Sequence, residues 1–176
     1  MNYLNRFKHL SDEAAEALYN LVRDMINKNT TNILEVGTYA GQATLRLADA
    51  AAQKSDSIKV ISIDDNNDTF SPSAEESLKV SNLFNTSIEF GDLDKKFEEN
   101  IVKANIIYVD RFHDQIETKM DLIKKNVIVP TKVIFRNPKN SDDFPFEVSE
   151  VSPEIKPRAR KKVPTTETKE TKKETT

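Results

Sequence analysis

Two of the chain's three glycines, Gly37 and Gly41, bracket a turn between the apolar run "NILEV" and a helical pattern that starts at Gln42. Acidic residues recur where later apolar runs end: Asp64 and Asp65 after "IKVISI", Asp92 beside Gly91 after "SIEF", and Asp110 after "NIIYV", with His113 three residues further on. Each residue type has a chemistry that suits its place. A turn that opens a helix offers backbone N–H groups to a ligand. A carboxylate accepts from two donors at once. An imidazole exchanges a proton near neutral pH. The set points to a nucleoside-containing ligand. The G-x-x-x-G spacing departs from the G-x-G-x-x-G of a pyrophosphate-binding turn, so a nicotinamide dinucleotide is disfavoured, although it would share the acid at Asp64.

The elements that must position these residues follow from the hydrophobic pattern. From Ser11 to about Asn27, Ala14, Leu18, Leu21, Val22 and Met25 recur at helical spacing, with Ser11 as N-cap and two acids in the first turn. Five short runs rich in Ile and Val follow: "NILEV", "IKVISI", "SIEF", "NIIYV" and "KVIF". They read as buried strands. Helical patterns lie between them at Gln42 to Gln53, Ser73 to Phe84 with a Ser73–Glu76 capping box, Asp94 to Lys103 and Asp114 to Asn126. Strand and helix thus alternate, which requires right-handed crossovers and a parallel sheet covered on both faces. A Rossmann-like α/β fold of about five strands is predicted. "FPFEVSEV", from Phe144 to Val151, is a further strand at an edge, because Pro145 cannot donate to a ladder.

Composition bounds the rest. A chain of 176 residues supports one domain with a sizeable core, expected over residues 1–152. Residues 153–176 are Pro, Lys, Arg, Glu and Thr-rich, and a disordered tail is expected there. The net charge of −3 gives no general attraction to nucleic acid, and the short "RARKK" cluster is soon followed by acids, so nucleic acid is not an expected partner. The absence of cysteine excludes thiolate metal sites and thiol catalysis. No segment reads as a signal peptide or bilayer span, so a cytoplasmic protein without a membrane partner is expected.

"LEVGTYAGQATLRLA" resembles the first motif of class I S-adenosylmethionine (SAM)-dependent methyltransferases, above all the catechol-type small-molecule O-methyltransferases, with Glu35, Gly37 and Gly41 matching an E-x-G-x-x-x-G turn and Tyr39 inside it. "VISIDDN" places Asp64 where the family's acid takes the ribose hydroxyls, with Asp65 as the off-by-one alternative, and "EFGDLD" places Asp92 where the adenine amino group is read. "NIIYVDRFHDQIETKMDL" is similar to the fourth-strand segment, through Asp110, His113, Asp121 and Leu122. "VPTKVIFRN" fills the fifth-strand slot, but Thr131, Lys132 and Arg136 depart from its pattern. The resemblance runs from about Ser11 to Asn137, and the terminal hairpin of the family is reduced or missing.

The resemblance implies a SAM-binding methyltransferase for a small-molecule acceptor, with His113 or Asp110 as base or positioner. In the metal-dependent branch two Asp and an Asn hold a divalent cation; here Arg136 stands for the second Asp beside Asn137, so a metal-independent enzyme is expected. Each residue also has an ordinary structural reading: Gly37 and Gly41 as a tight turn, Glu35 as an ion-pair member, Asp64 as part of a solvated acidic turn, Asp92 as a helix cap, His113 as a helix-start residue. The alternative function is a catalytically degenerate fold serving as a binding or assembly module. An exposed C-terminal edge strand would favour association with a second copy or a larger assembly.

Overall fold

A computed structural model describes residues 10–39, 41–65, 76, 78–79, 83–111, 115–137 and 145–154. The first helix, α1 (Asp12–Met25), starts where the Ser11 side chain accepts from the Ala14 N–H at 3.0 Å and ends where Ile26 turns extended. It buries Ala14, Ala15, Leu18, Tyr19, Val22 and Met25. Strand β1 (Asn32–Val36) then leads through the glycine turn into α2 (Gln42–Lys54), whose buried face is made largely of alanine. Such small side chains let α1 and the sheet approach it closely, and α1, α2, Ile33, Val60, Ile106, Tyr108, Ile134 and Phe146 share one core cluster.

The remaining elements are β2 (Lys59–Asp64), β3 (Thr86–Phe90), α3 (Leu93–Ile101), β4 (Ile106–Val109), α4 (Ile116–Asn126), β5 (Thr131–Arg136) and β6 (Phe146–Val151). They form a six-stranded sheet in the order β3-β2-β1-β4-β5-β6. β1 pairs in parallel with β2 and β4, β2 with β3, and β4 with β5, whereas β6 pairs antiparallel with β5. Because side chains alternate across a strand, Ile33 and Glu35 face the α1–α2 side. Leu34 and Val36 face the second core, where Phe97 and Ile101 of α3 and Ile123 of α4 pack. All four residues of β4 are buried, as a central parallel strand requires.

The expected strands are all present, and among the described residues the last one is a single antiparallel strand beside β5. Pro145 sits immediately outside it, and its carbonyl accepts from the Asn137 N–H at 2.6 Å. One helix boundary differs. Glu76, Leu78 and Lys79 are helical, but Leu83, Phe84 and Asn85 are not, and Phe84 is 92% exposed. The reason is tertiary: Asn85 accepts from the Val60 N–H with its carbonyl and donates to the carbonyls of Ala48 and Ile58 with its amide, which ties this turn to α2 and the sheet. Among the described residues no helix is long and apolar enough to cross a membrane. Ser73, His113, Asp114 and the greater part of the expected tail, residues 155–176, lie outside the described residues.

Candidate functional site

The parallel register brings the ends of β1, β2 and β4 together. Gly37 donates to the Ile63 carbonyl at 2.9 Å, and the N–H groups of Asp110 and Arg111 both reach the Val36 carbonyl, at 3.0 and 3.2 Å. Beyond β1 the chain turns sharply, with φ of +103° at Gly37, +46° at Tyr39 and +83° at Gly41. Glycine meets these angles without strain, and Tyr39 takes the small left-handed region open to other residues. The Gly41 N–H closes the turn on the Thr38 carbonyl at 2.8 Å.

Asp64 is the organising acid of this turn. It is fully buried, and its Oδ2 accepts from the N–H groups of Thr38 at 2.8 Å and Tyr39 at 3.0 Å. Its Oδ1 accepts from the Asp65 N–H at 2.8 Å and lies 3.0 Å from Arg111 Nη2. A carboxylate so supplied with donors offsets its desolvation. Asp65 turns outward; its side chain is 33% exposed, and Oδ2 accepts from Arg111 Nη1 at 3.2 Å. Of the two acids at the end of β2, Asp65 is the one that meets solvent.

Arg111 is the residue that sequence reasoning passed over. It forks across both acids and stacks over the Tyr39 ring, 4.9 Å from its centroid. Its stem runs over Gly37, where an added Cβ would come within 2.7 Å of Arg111 Cγ. The available signal was the basic residue directly after the strand-ending Asp110, together with two consecutive acids at the end of β2, the strand on the far side of β1.

Glu35 lies beneath the turn rather than in it. It is fully buried; Oε2 accepts from the Thr44 hydroxyl at 2.5 Å, while Oε1 has no hydrogen-bond partner. Burial pushes its pKa up to about 8, partly offset by hydrogen bonds from Ser62 and Thr44. The carboxyl is therefore largely protonated at neutral pH. Ser62 in turn shares a 2.6 Å hydrogen bond with the Thr38 hydroxyl, which links Glu35 to the turn. Tyr108, opposite Glu35 in register, is also buried; burial and the nearby Asp110 carboxylate hold its hydroxyl well above the usual tyrosine range.

On the β4–β5 side Arg136 donates to both oxygens of Asp110, at 3.2 and 3.4 Å. The Asn137 amide donates to Glu147 at the start of β6. Asp110, Arg136 and Asn137, the residues the resemblance set against the cation ligands, are thus engaged with one another or with β6. Asp92 caps α3 by accepting from the Lys95 N–H at 3.0 Å, and the pairing of Gly91 N–H with the Asp64 carbonyl at 3.1 Å brings this cap beside the same strand end. The fold therefore gathers Gly37, Tyr39, Gly41, Asp64, Asp65 and Asp110 at one set of strand ends, leaves Glu35 below them, and sets Asp92 at their border.

No protein-family model matches the sequence, and no curated protein does. Solved structures with the same fold include an O-methyltransferase from Streptomyces achromogenes involved in tomaymycin synthesis, in complex with SAM, at 18% identity and a TM-score of 0.60 over 77% of this chain and 64% of that one. An O-methyltransferase from Bacillus cereus in complex with S-adenosylhomocysteine (SAH) matches at 18% identity and a TM-score of 0.61, over 77% of this chain and 65% of its own. A methyltransferase from Geobacter sulfurreducens matches at 17% identity and 0.61, over 75% and 64%. The chain has the α/β fold of SAM-dependent methyltransferases, and it spans less than two thirds of the length of these structures.

Proposed function

We propose that the chain binds SAM at the β1–β2 strand ends and transfers its methyl group to a small-molecule hydroxyl or amine, without a divalent cation. One observation carries the reading: a glycine turn whose N–H groups are held by a buried acid at the end of the neighbouring strand. The residues fit such a cofactor once the Arg111 stem that covers Gly37 moves aside: Gly37 itself adds no side chain, and Asp64 and Asp65 lie side by side as acceptors for a diol. The resemblance assigns the adenine amino group to Asp92, which caps α3 beside the same strand end. SAM supplies an electrophilic methyl on a positively charged sulfur. The chain's own part is to align the acceptor, exclude water and hold a proton, with Asp110 or His113 as base or positioner. Arg136, engaged with Asp110, takes a position that a cation would need. The proposal includes a cytoplasmic site of action.

Calorimetry with SAM, SAH and NAD in parallel tests the assignment. SAH and SAM binding with no NAD binding is the expected result, with stabilisation of about 2.7 kcal/mol at a hundredfold excess over Kd. Failure of both SAM and SAH to bind at millimolar concentration overturns it.

The second reading is a binding or assembly module on the same fold. The Arg136–Asp110 ion pair favours it, since it ties up an acid expected to work on the acceptor, and β6, the last strand of the sheet among the described residues, offers a surface for association. Cofactor binding without methyl transfer to any of a broad panel of hydroxyl and amine acceptors, together with self-association in sedimentation, would establish it.

A further inference from the structure

We propose that Arg111 is an internal competitor for the cofactor: its guanidinium occupies the Asp64–Asp65 acceptor pair, so the chain closes its own site until a ligand displaces the side chain. The inference rests on the SAM-site reading and adds a residue that sets its affinity.

The argument begins with lone pairs. Asp64 Oδ2 already serves two turn N–H groups, and Oδ1 serves the Asp65 N–H and Arg111 Nη2. An incoming hydroxyl gains full use of Oδ1 only when the guanidinium leaves. Asp65 Oδ2, the outward acceptor, is held by Nη1 of the same group. One planar fork therefore satisfies both acids at once, which suits arginine and no other side chain. The stem adds a second block: Cγ lies over Gly37, in the space that bare backbone otherwise leaves open. Tyr39 holds the guanidinium from the third side through its ring face. With 20% of its side chain exposed, Arg111 has a path to solvent, and the N–H groups that hold Asp64 belong to Thr38 and Tyr39 of the turn, not to Arg111. The site is pre-built, with a removable side chain closing it.

A ligand that binds only the open arrangement has its affinity reduced by the fraction of time the site is open. Removing the competitor is expected to tighten binding. The test is calorimetry with SAH on the full-length wild type, Arg111→Ala and Arg111→Lys, with melting curves confirming that each is folded. Arg111→Ala is expected to bind SAH about tenfold more tightly than wild type while melting at a lower temperature in the absence of ligand. Arg111→Lys, whose ammonium cannot bridge two carboxylates, should fall between them and serves as the comparison if the alanine variant does not fold. Equal or weaker SAH binding by the folded variants overturns the competitor role and leaves the cofactor site standing. Absence of SAH binding in all three proteins overturns the site, and this inference with it.

Discussion

The two ends of the strand row are built from different materials. At β1 and β2, backbone makes the site: left-handed turn residues, N–H groups and a buried acid that holds them in register. At β4 and β5, side chains make it: Arg136 on Asp110, and Asn137 on Glu147. A backbone-built site survives the loss of a single side-chain partner, because the turn itself carries the donors. A side-chain-built site changes its chemistry with one substitution. Arg111 connects the two, since it leaves the end of β4 and lies over the turn of β1. The proposed methyl transfer would draw on both ends, which differ in how readily a single substitution can alter them.

The largest expected effect comes from beneath the first end. Glu35 has a folded pKa of about 8 against 4.5 unfolded, so its contribution is most favourable below pH 4.5 and is lost as pH rises through about 8. Glu35→Gln stays neutral throughout. Relative to wild type, the variant should gain on the order of 5 kcal/mol of stability as pH rises from the lower pKa to the higher, as read from denaturant unfolding across that range. A stability difference that does not change with pH would show that Glu35 is ionised in the fold.

Next is the turn itself. Gly37→Ala places a Cβ at a φ of +103° and 2.7 Å from Arg111 Cγ. Strain of about 1–3 kcal/mol is expected, equivalent to about 2–4 °C in Tm per kcal/mol for a domain of this size. A variant that melts with wild type would mean that the turn is less constrained than its angles imply.

The second end should respond differently. Arg136→Asp sets a carboxylate beside Asp110 and is expected to cost about 1–2 kcal/mol without metal. Millimolar magnesium should raise the Tm of this variant and leave wild type unmoved. A magnesium-dependent Tm in the wild type, abolished in Asp110→Ala, would return the site to a metal-dependent chemistry. The smallest effect is reserved for the C-terminus. Deleting residues 155–176, nearly devoid of apolar side chains, should change stability by less than about 0.5 kcal/mol, because such a segment buries too little to repay its ordering entropy. A clear drop in Tm would show that it packs against the domain.

Much of the fold was legible because it rests on local rules. Ile and Val runs bounded by turn residues mark β1 to β5, and Ser11 with two following acids marks the start of α1. The glycine turn was legible for the same reason, since few residues other than glycine accept a φ near +100°. The pairing of Asn85 with Ala48 and Ile58 was not legible: it ends a helical pattern from 27 and 37 residues away.

By itself the sequence determined the alternation of strands and helices, the place of the turn and the presence of acids at strand ends, all consequences of short-range periodicity and backbone sterics. Only the tertiary structure decided which of Asp64 and Asp65 faces solvent, that β6 runs antiparallel beside β5, and that Glu35 is buried deeply enough to hold its proton. It alone brought Arg111 across 46 residues of sequence to Asp65. Those outcomes depend on which strands become neighbours and how much water each carboxylate keeps, and neither quantity exists until the sheet has formed.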